Sequence, residues 1–347
     1  MKEKVLCAMS GGVDSSVCAK LLIDGGYEVV GATMRLHPCA PGDAEDAAEV
    51  CRRLGIEHRV FDLSEEFTRE VIDRFAAAYE RGETPNPCIE CNRHLKFGRL
   101  LEEAERAGCR YIATGHYARI TRDEASGRYL LKRALHPEKD QSYVLYRLTQ
   151  GQLSRTLFPL GELSKDEVRA AAESAGFVTA RKRDSQDICF IPDGDYSAYI
   201  RRHTGKDYPA GDFVGTDGRV LGRHSGIINY TVGQRRGLGI SLGERAYVCG
   251  IDAAANTVTL GRNDELFTDT VHIRDINMVS LPDIEGSLRA EAKLRYSHRP
   301  QPVLVTRGGE DGLLLKFDTP QRAVTPGQSA VIYLGDTVVG GGVIVSG

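Results

Sequence analysis

The sequence predicts an α/β doubly wound parallel sheet, followed by a small β-rich central domain and a C-terminal β-barrel. Three observations carry this. Short apolar runs alternate with amphipathic helical patterns over the first 200 or so residues, the signature of strand–helix–strand units. Glycines fall where strands should end, at Ser10-Gly11-Gly12 and again at Gly115. After about residue 205 helical periodicity is lost, and short alternating runs punctuated by glycine take over. The expected boundaries are 1–204, 205–270 and 271–347.

The first unit is the most informative. Val5 to Met9 reads as a buried strand that stops at Ser10-Gly11-Gly12. Val13 to Leu22 reads as a helix with Val17, Ala19, Leu21 and Leu22 available for burial. A strand passing through glycines into a helix start suits an anion: glycine lets backbone N–H groups close in, and the helix N-terminus adds partial positive charge. Ser10, Ser15 and Ser16 are the expected hydroxyl donors. The usual mononucleotide loop carries Lys-Ser/Thr after its last glycine. Here Asp14-Ser15-Ser16 stands there instead, with no lysine, and G-x-G-x-x-G is absent too.

The next elements follow the same logic. Tyr27 to Met34 is a second strand, 43–54 a helix, and His58 to Leu63 a third strand. Ser64 is the expected cap of a helix burying Phe67, Val71, Ile72 and Phe75. Two prolines in Thr84-Pro85-Asn86-Pro87-Cys88-Ile89-Glu90-Cys91-Asn92 break the pattern. A helix over 92–107 leads to strand four, Arg110 to Thr114, and to Gly115-His116-Tyr117. Residues 118–134 read as a hairpin turning at Ala125-Ser126-Gly127, and 143–148 as a helix. Ser164 with Glu167 forms a capping box for the helix over 164–175. In a sheet of this kind ligands bind beyond the carboxyl ends of the strands.

Composition narrows the class. With 347 residues the chain is too long for one typical core, and 41% hydrophobic with 27% charged residues is ordinary for a soluble protein. No signal-peptide pattern or membrane-length apolar stretch is seen, and nine scattered cysteines fit a reducing cytoplasm, so a cytoplasmic location is expected. The net charge of −3 gives no global case for nucleic acid, but binding needs only a local basic face. Arg181 to Arg183, Arg201-Arg202, Arg235-Arg236 and Lys132-Arg133 are candidates for one.

Cys88 and Cys91 form C-x-x-C. Zinc would need a second pair or histidines at metal spacing, so reactive thiols or iron–sulfur ligands are the sharper readings. Cys189 lies in a loop with Arg181, Lys182, Arg183, Asp184 and Asp187, where positive charge would favour its thiolate. Cys7, Cys18, Cys51 and Cys249 read as core. His116 is either a substrate contact or a structural strand-end histidine, and Lys139-Asp140-Gln141 taken alone is a solvated loop. Arg235-Arg236 is either a phosphate site or an exposed turn.

Ser-Gly-Gly-Val-Asp-Ser-Ser at 10–16 resembles the pyrophosphate loop of the ATP pyrophosphatases, which split ATP into AMP and pyrophosphate. Taken with Thr84 to Asn92, Gly115-His116-Tyr117-Ala118, Lys139 to Ser142, Ile188-Cys189-Phe190-Ile191 and Thr231 to Leu238, nearly the whole chain resembles the tRNA-specific 2-thiouridylases of the bacterial MnmA type. That resemblance implies ATP-dependent 2-thiolation of the wobble uridine of tRNA, with ATP and Mg2+ as cofactors. It further implies a sulfur-donor protein (a cysteine desulfurase or relay protein) and no membrane. Ala8, Met9, Ser10, Gly11, Gly12, Val13, Asp14 and Ser15 would bind ATP, with Met34 and Gly115 at the adenosine. Asn86, Pro87 and Cys88 would meet the target base. Cys91 would be the nucleophile and Cys189 the persulfide carrier. His116, Lys139, Asp140, Gln141, Arg295, Tyr296 and Gln328 would contact tRNA. The best-known members have an aspartate at the position of Cys88, proposed as a base. The three cysteines here, Cys88, Cys91 and Cys189, open an iron–sulfur route beside the persulfide route. Outside the family, an adenylating small-molecule ligase would use the loop but not the cysteines, and a non-catalytic RNA-binding module would use neither.

Overall fold

The computed structural model describes residues 2–37, 42–180, 182, 188–241, 243, 245–309 and 311–346. They fall into two units. The first holds Met1–Val71, Cys88–Phe190 and Asp336–Val338; the second holds Ile72–Pro87, Ile191–Gly335 and Val339–Gly347.

The first unit is built on β1 (Lys4–Ala8), β2 (Glu28–Arg35) and β3 (Glu57–Asp62), joined by α1 (Val13–Asp24) and α2 (Asp43–Leu54). Ser64–Phe67 (α3) runs through a π-helical stretch, Thr68–Ile72, into α4 (Asp73–Glu80). Ser64 is the first helical residue rather than the cap. Its amide and hydroxyl both donate to Asp62 Oδ1, at 3.2 and 2.7 Å, and Leu63 takes the cap position. Phe67, Val71, Ile72 and Phe75 are buried as expected. Pro87–Glu90 (α5) starts on its proline, whose missing N–H costs a helix start nothing. Cys91–Arg99 is again π-helical and leads to α6 (Leu100–Arg106), β4 (Tyr111–Ala113) and the hairpin β5 (Ala118–Arg122) and β6 (Tyr129–Arg133). In place of the expected helix over 143–148, Ser142–Leu145 forms a 3-10 turn. Then come α7 (Gln150–Leu153), β7 (Thr156–Leu157) and α8 (Lys165–Ser174).

The sheet order is β3-β2-β1-β4-β7, and every pairing is parallel. The chain leaves β1 toward β2 and β3, then returns to the other side for β4. The switch point therefore lies between β1 and β4. Val5, Cys7, Val17, Cys18, Ala47, Val50 and Cys51 pack there without exposure, which bears out the core reading of three of the cysteines. Gly31 leaves room for Cys51, because a Cβ on it would lie 2.4 Å from the Cys51 sulfur.

The second unit opens on α4 and α9 (Tyr196–Thr204), whose Tyr79 and Tyr196 rings stack with centroids 4.8 Å apart. A four-stranded sheet follows: β8 (Gly211–Gly215), β9 (Val220–His224), β10 (Tyr247–Asp252) and β11 (Thr257–Gly261), in the order β10-β11-β8-β9. The remaining strands are β12 (Phe267–Met278), β13 (Ser287–Lys293), β14 (Gln301–Arg307), β15 (Gly312–Arg322), β16 (Ser329–Leu334) and β17 (Thr337–Ser346). They run β12-β15-β14-β13-β16-β17, and β17 pairs back on β12, which closes the barrel. Inward residues recur at period two, as in Val271 and Ile273, Val303 and Val305, and Leu313, Leu315 and Phe317.

Candidate active site

Ligand sites in open α/β sheets lie beyond the strand carboxyl ends at the switch point. Ser10–Gly12 leaves β1 there and Thr114–Tyr117 leaves β4 there, so the two glycine-bearing strand ends meet. Gly11 has φ +67°, and a Cβ on it would lie 2.4 Å from Asp43 O. Only glycine satisfies both conditions. The first intrahelical bond of α1 is Ser16 N to Gly12 O, 3.2 Å. The N–H groups of Val13, Asp14 and Ser15 precede it, and they are the donors that an anion at a helix start uses. Ser10 is exposed, its amide and hydroxyl reaching Ser15 Oγ at 3.2 and 3.3 Å. Ser16 is not a phosphate donor. It is unexposed, and its hydroxyl serves Gly12 O at 2.8 Å and Thr179 at 3.0 Å. Met9 is also turned inward, its amide on Ala32 O and its carbonyl under Thr33 Oγ1.

Asp14 sits at the centre of the group. Its Oδ1 accepts from Tyr117 Oη at 2.7 Å and from Lys165 Nζ at 2.8 Å, and its Oδ2 accepts from Lys165 at 3.0 Å. Gly115 packs on the backbone of Asp14 and Ser15: a Cβ there would lie 2.9 Å from Asp14 C and 3.0 Å from Ser15 N. Both are backbone atoms and cannot turn away. Gly115→Ala is therefore expected to displace the loop, with about 1–3 kcal/mol of lost stability and a raised KM for ATP. Urea unfolding and ATP titration check this.

The cysteines form the second group. Cys91 is buried, whereas Cys88 and Cys189 are exposed. Burial pushes the Cys91 thiol up to about 12, Lys96 pulls it back, and Cys189 and Cys88 push it further up. Cys88 and Cys189 are raised by burial of their sulfurs, and Lys96 opposes the shift in each case. Among the described residues the cation acting on Cys189 is Lys96. Of the charges expected there, Arg181, Arg183, Asp184 and Asp187 lie outside the described residues, and Lys182 binds Asp43 and Asp46 at 2.6 and 2.9 Å. The Cys189 thiol is consequently not acidified. Cys91 and Lys96 lie five residues apart on the π-helical stretch, where backbone bonds close i→i+5 rather than i→i+4. Gly98 shows that spacing, since a Cβ on it would lie 3.1 Å from Arg93 O. Below pH 12 the thiolate fraction grows tenfold per pH unit, so alkylation of Cys91 by a small reagent should rise about a hundredfold from pH 7 to 9. Mass mapping of the modified cysteines measures it, and a plateau near pH 8.5 would contradict the shift.

The other predicted residues are placed as follows. Met34 is half-buried at the end of β2. His116 is buried against Phe97 and Phe158, with Nδ1 at 2.7 Å from Thr114 Oγ1; burial, then Lys96, holds it well below the ordinary histidine range. Asp140 accepts from Ala134 N, Ser142 N and Ser142 Oγ, and Gln141 exchanges bonds with the Tyr117 backbone. Lys139 ends the 3-10 turn before them. In the second unit, Gln328 donates to Thr84 O at 2.6 Å, and Thr84 N donates to Pro326 O at 2.8 Å, which fixes the segment leading to Asn86 and Pro87. Arg295 binds Ala323 O and Thr325 Oγ1, and lines a cavity of about 710 Å³ with Tyr196 and Thr231 to Arg236. Tyr296 is exposed beneath the Lys293 ammonium.

Residues 3–193 match the family model described as the tRNA methyl transferase HUP domain. Residues 197–262 match the tRNA methyl transferase PRC-barrel domain, and 268–344 the Aminomethyltransferase beta-barrel domain. The tRNA-specific 2-thiouridylase MnmA of Clostridioides difficile (strain 630) is 47% identical over 355 residues, covering 99% of this chain and 98% of the relative. The chain belongs to the MnmA family. The Acetivibrio thermocellus MnmA is likewise 47% identical over 356 residues, with 99% of both chains covered. The Carboxydothermus hydrogenoformans MnmA is 46% identical over 356 residues, with 99% and 98% covered.

An iron–sulfur cluster would need Cys88, Cys91 and Cys189 to converge. Among the described residues no three histidine, cysteine or carboxylate side chains stand close enough together to hold a metal ion, so this conformation of the MnmA chain does not fit a cluster. The fit to nucleotide-bound magnesium is better, because such an ion takes one or two carboxylates and completes its shell with phosphate and water, and Asp14 supplies one. Lys96 and Lys165 escaped the sequence reading, which noted Tyr117 only within a motif and Lys182 only as a charge near Cys189; the structure puts Tyr117 and Lys165 on Asp14 and Lys182 on the loop. Lys182 donates to Gly11 O at 3.2 Å.

Proposed function

We propose that this chain performs ATP-dependent 2-thiolation of the wobble uridine of tRNA, in the cytoplasm. The observation that carries the reading is the convergence of the Ser10–Asp14 loop and Gly115 at the switch point of a unit that also carries Cys88, Cys91 and Cys189. No described helix is long and apolar enough to cross a membrane.

A uracil carbonyl oxygen is a poor leaving group and has to be activated. The uracil O2 attacks the α-phosphorus, the α–β bridging P–O bond breaks, and its electron pair leaves with pyrophosphate. ATP arrives as its magnesium complex, and the helix N–H groups at Val13, Asp14 and Ser15 receive the phosphate charge without reorganising. Asn86 and Pro87 hold the extruded base, with Cys88 following them in the chain. A sulfur-donor protein loads Cys189 as a persulfide. Its terminal sulfur attacks C2, and the C2–O bond breaks with loss of AMP. The Cys91 thiol loses its proton to solvent as it attacks Cys189 Sγ, the S–S bond breaks, and sulfur stays on C2. This leaves a Cys91–Cys189 disulfide, which a thiol reductant returns to two thiols. His116, Lys139 to Gln141, Arg295, Tyr296 and Gln328 serve tRNA, several of them by fixing backbone that faces it.

Pyrophosphate exchange into ATP that requires added tRNA, with mass analysis of the wobble uridine in the presence of a sulfur source, tests the reading. Exchange without tRNA would point to a small-molecule ligase. Absence of exchange would leave an RNA-binding module.

A further inference from the structure

Among the described residues Lys96 is the one partly or fully buried lysine with no carboxylate, hydrogen-bond acceptor or aromatic ring against its ammonium. Others of that kind are matched, as Lys20 is by Asp24, Lys132 by Asp336, Lys165 by Asp14 and Lys293 by the Tyr296 ring. The carboxylates nearest its helical run are engaged elsewhere: Glu90 meets His94 Nε2 at 3.2 Å, and Glu66 meets Arg99 Nε at 3.4 Å. What Lys96 acts on is uncharged. Burial raises the thiols of Cys88, Cys91 and Cys189, with Lys96 opposing, and burial with Lys96 holds His116 well below the ordinary histidine range. The backbone that carries Lys96 is fixed on both sides. Asn92 Nδ2 donates to Val144 O at 3.0 Å, Gln152 Nε2 donates to Phe97 O at 2.8 Å, and the Phe97 ring packs on His116 with centroids 5.8 Å apart. Desolvation makes an unmatched ammonium unfavourable, and a methionine would fill the position without that cost. The charge therefore suits an anion that forms at the cysteines during turnover.

We propose that Lys96 is a catalytic residue of sulfur transfer, its ammonium holding the terminal sulfur of the Cys189 persulfide as an anion. A persulfide S–H gives up its proton more readily than a thiol, and that proton goes to solvent. The terminal sulfur then attacks C2: its lone pair makes the S–C2 bond, and the C2–O bond breaks with its electron pair leaving on AMP. When Cys91 attacks Cys189 Sγ, the electron pair of the breaking S–S bond returns to the sulfur on C2, and the same ammonium offsets its charge. No bond to Lys96 forms or breaks, and it stays protonated throughout. The inference rests on the persulfide step of the proposed function and adds the cation that serves it.

Single-turnover thiolation tests it in the parent, Lys96→Ala, Lys96→Met and Lys96→Arg. Each chain is first treated with sodium polysulfide, and mass mapping records the persulfide on Cys189. MgATP and tRNA are then added, and pyrophosphate release and thiolated uridine are followed separately. The expected result for Lys96→Ala and Lys96→Met is sulfur transfer slower by about one to two powers of ten, with a smaller effect on pyrophosphate release and most of the rate kept in Lys96→Arg. Ethylammonium chloride should restore part of the rate to Lys96→Ala, and sodium chloride at equal ionic strength should not. Equal losses in both steps would put the ammonium on the nucleotide or on the fold and overturn the assignment, as would sulfur transfer at the parent rate. If no persulfide forms on Cys189 of the parent, the persulfide step of the proposed function itself fails, a result distinct from either of these.

Discussion

Asp14→Asn is expected to lower tRNA-dependent pyrophosphate exchange by about 10²- to 10³-fold, the range seen when a preorganised charge-stabilising group is lost, while tRNA affinity changes less than about threefold. The reason lies in what Asp14 holds: Lys165 on both oxygens and Tyr117 on one. Asparagine retains an oxygen for Tyr117 but leaves Lys165 without its full counter-charge. Breaking a buried pair from one side costs about 3–5 kcal/mol; Asp14 is partly exposed, so the stability loss should fall below that range. Urea unfolding separates this loss from the catalytic one. Asp14→Asn with Lys165→Gln should recover stability but not exchange. Filter binding of tRNA completes the measurement, and loss of tRNA affinity in the single variant would mean that the loop does not serve ATP.

The second large effect concerns sulfur. Cys189→Ser and Cys91→Ser should each reduce thiolated uridine by at least about 10³-fold, because serine can neither carry nor resolve a persulfide. Both should still release pyrophosphate from ATP in the presence of tRNA, with the AMP retained on the uracil oxygen. Cys88→Ala should retain thiolation within about tenfold, since the described residues show no three-cysteine metal cage. Anaerobically prepared protein without iron would agree. Loss of thiolation in Cys88→Ala together with bound iron would overturn the persulfide route.

The sequence was most legible where one segment makes its own structure. The strand, glycine loop and helix over residues 4–24 are local, so periodicity and the special backbone needs of Gly11 exposed them. The barrel was legible through its period of two. Legibility failed where distant contacts decide. Ser15 and Ser16 both read as hydroxyl donors to a ligand, but both are buried and give their hydroxyls to Gly12 O, and Ser16 also bonds Thr179, 163 residues away. The Cys91–Arg99 stretch closes i→i+5 rather than i→i+4 bonds, so a search at 3.6 residues reads an ordinary helix there and misses that Lys96 acts on the Cys91 thiol. Lys165 left one trace: the Ser164–Glu167 capping box fixed the helix start, which put a lysine at a position the dipole disfavours. That local conflict was the available sign of a role outside the helix.

The short stretch Asp336–Val338, at the start of the last barrel strand, belongs to the first unit. There Thr337 pairs with Lys132, and Arg133 N donates to Asp336 O at 2.7 Å. Lys132 and Asp336 are 204 residues apart. During synthesis the open side of β6 therefore has no partner here until almost the whole chain has left the ribosome, at about 5–20 residues per second. An unpaired strand edge is a template for pairing with other chains. The nucleotide-binding unit is thus finished last although it is begun first, and a fragment ending at residue 190 would carry that bare edge permanently. Asp336–Val338 are the residues that give that edge its partner.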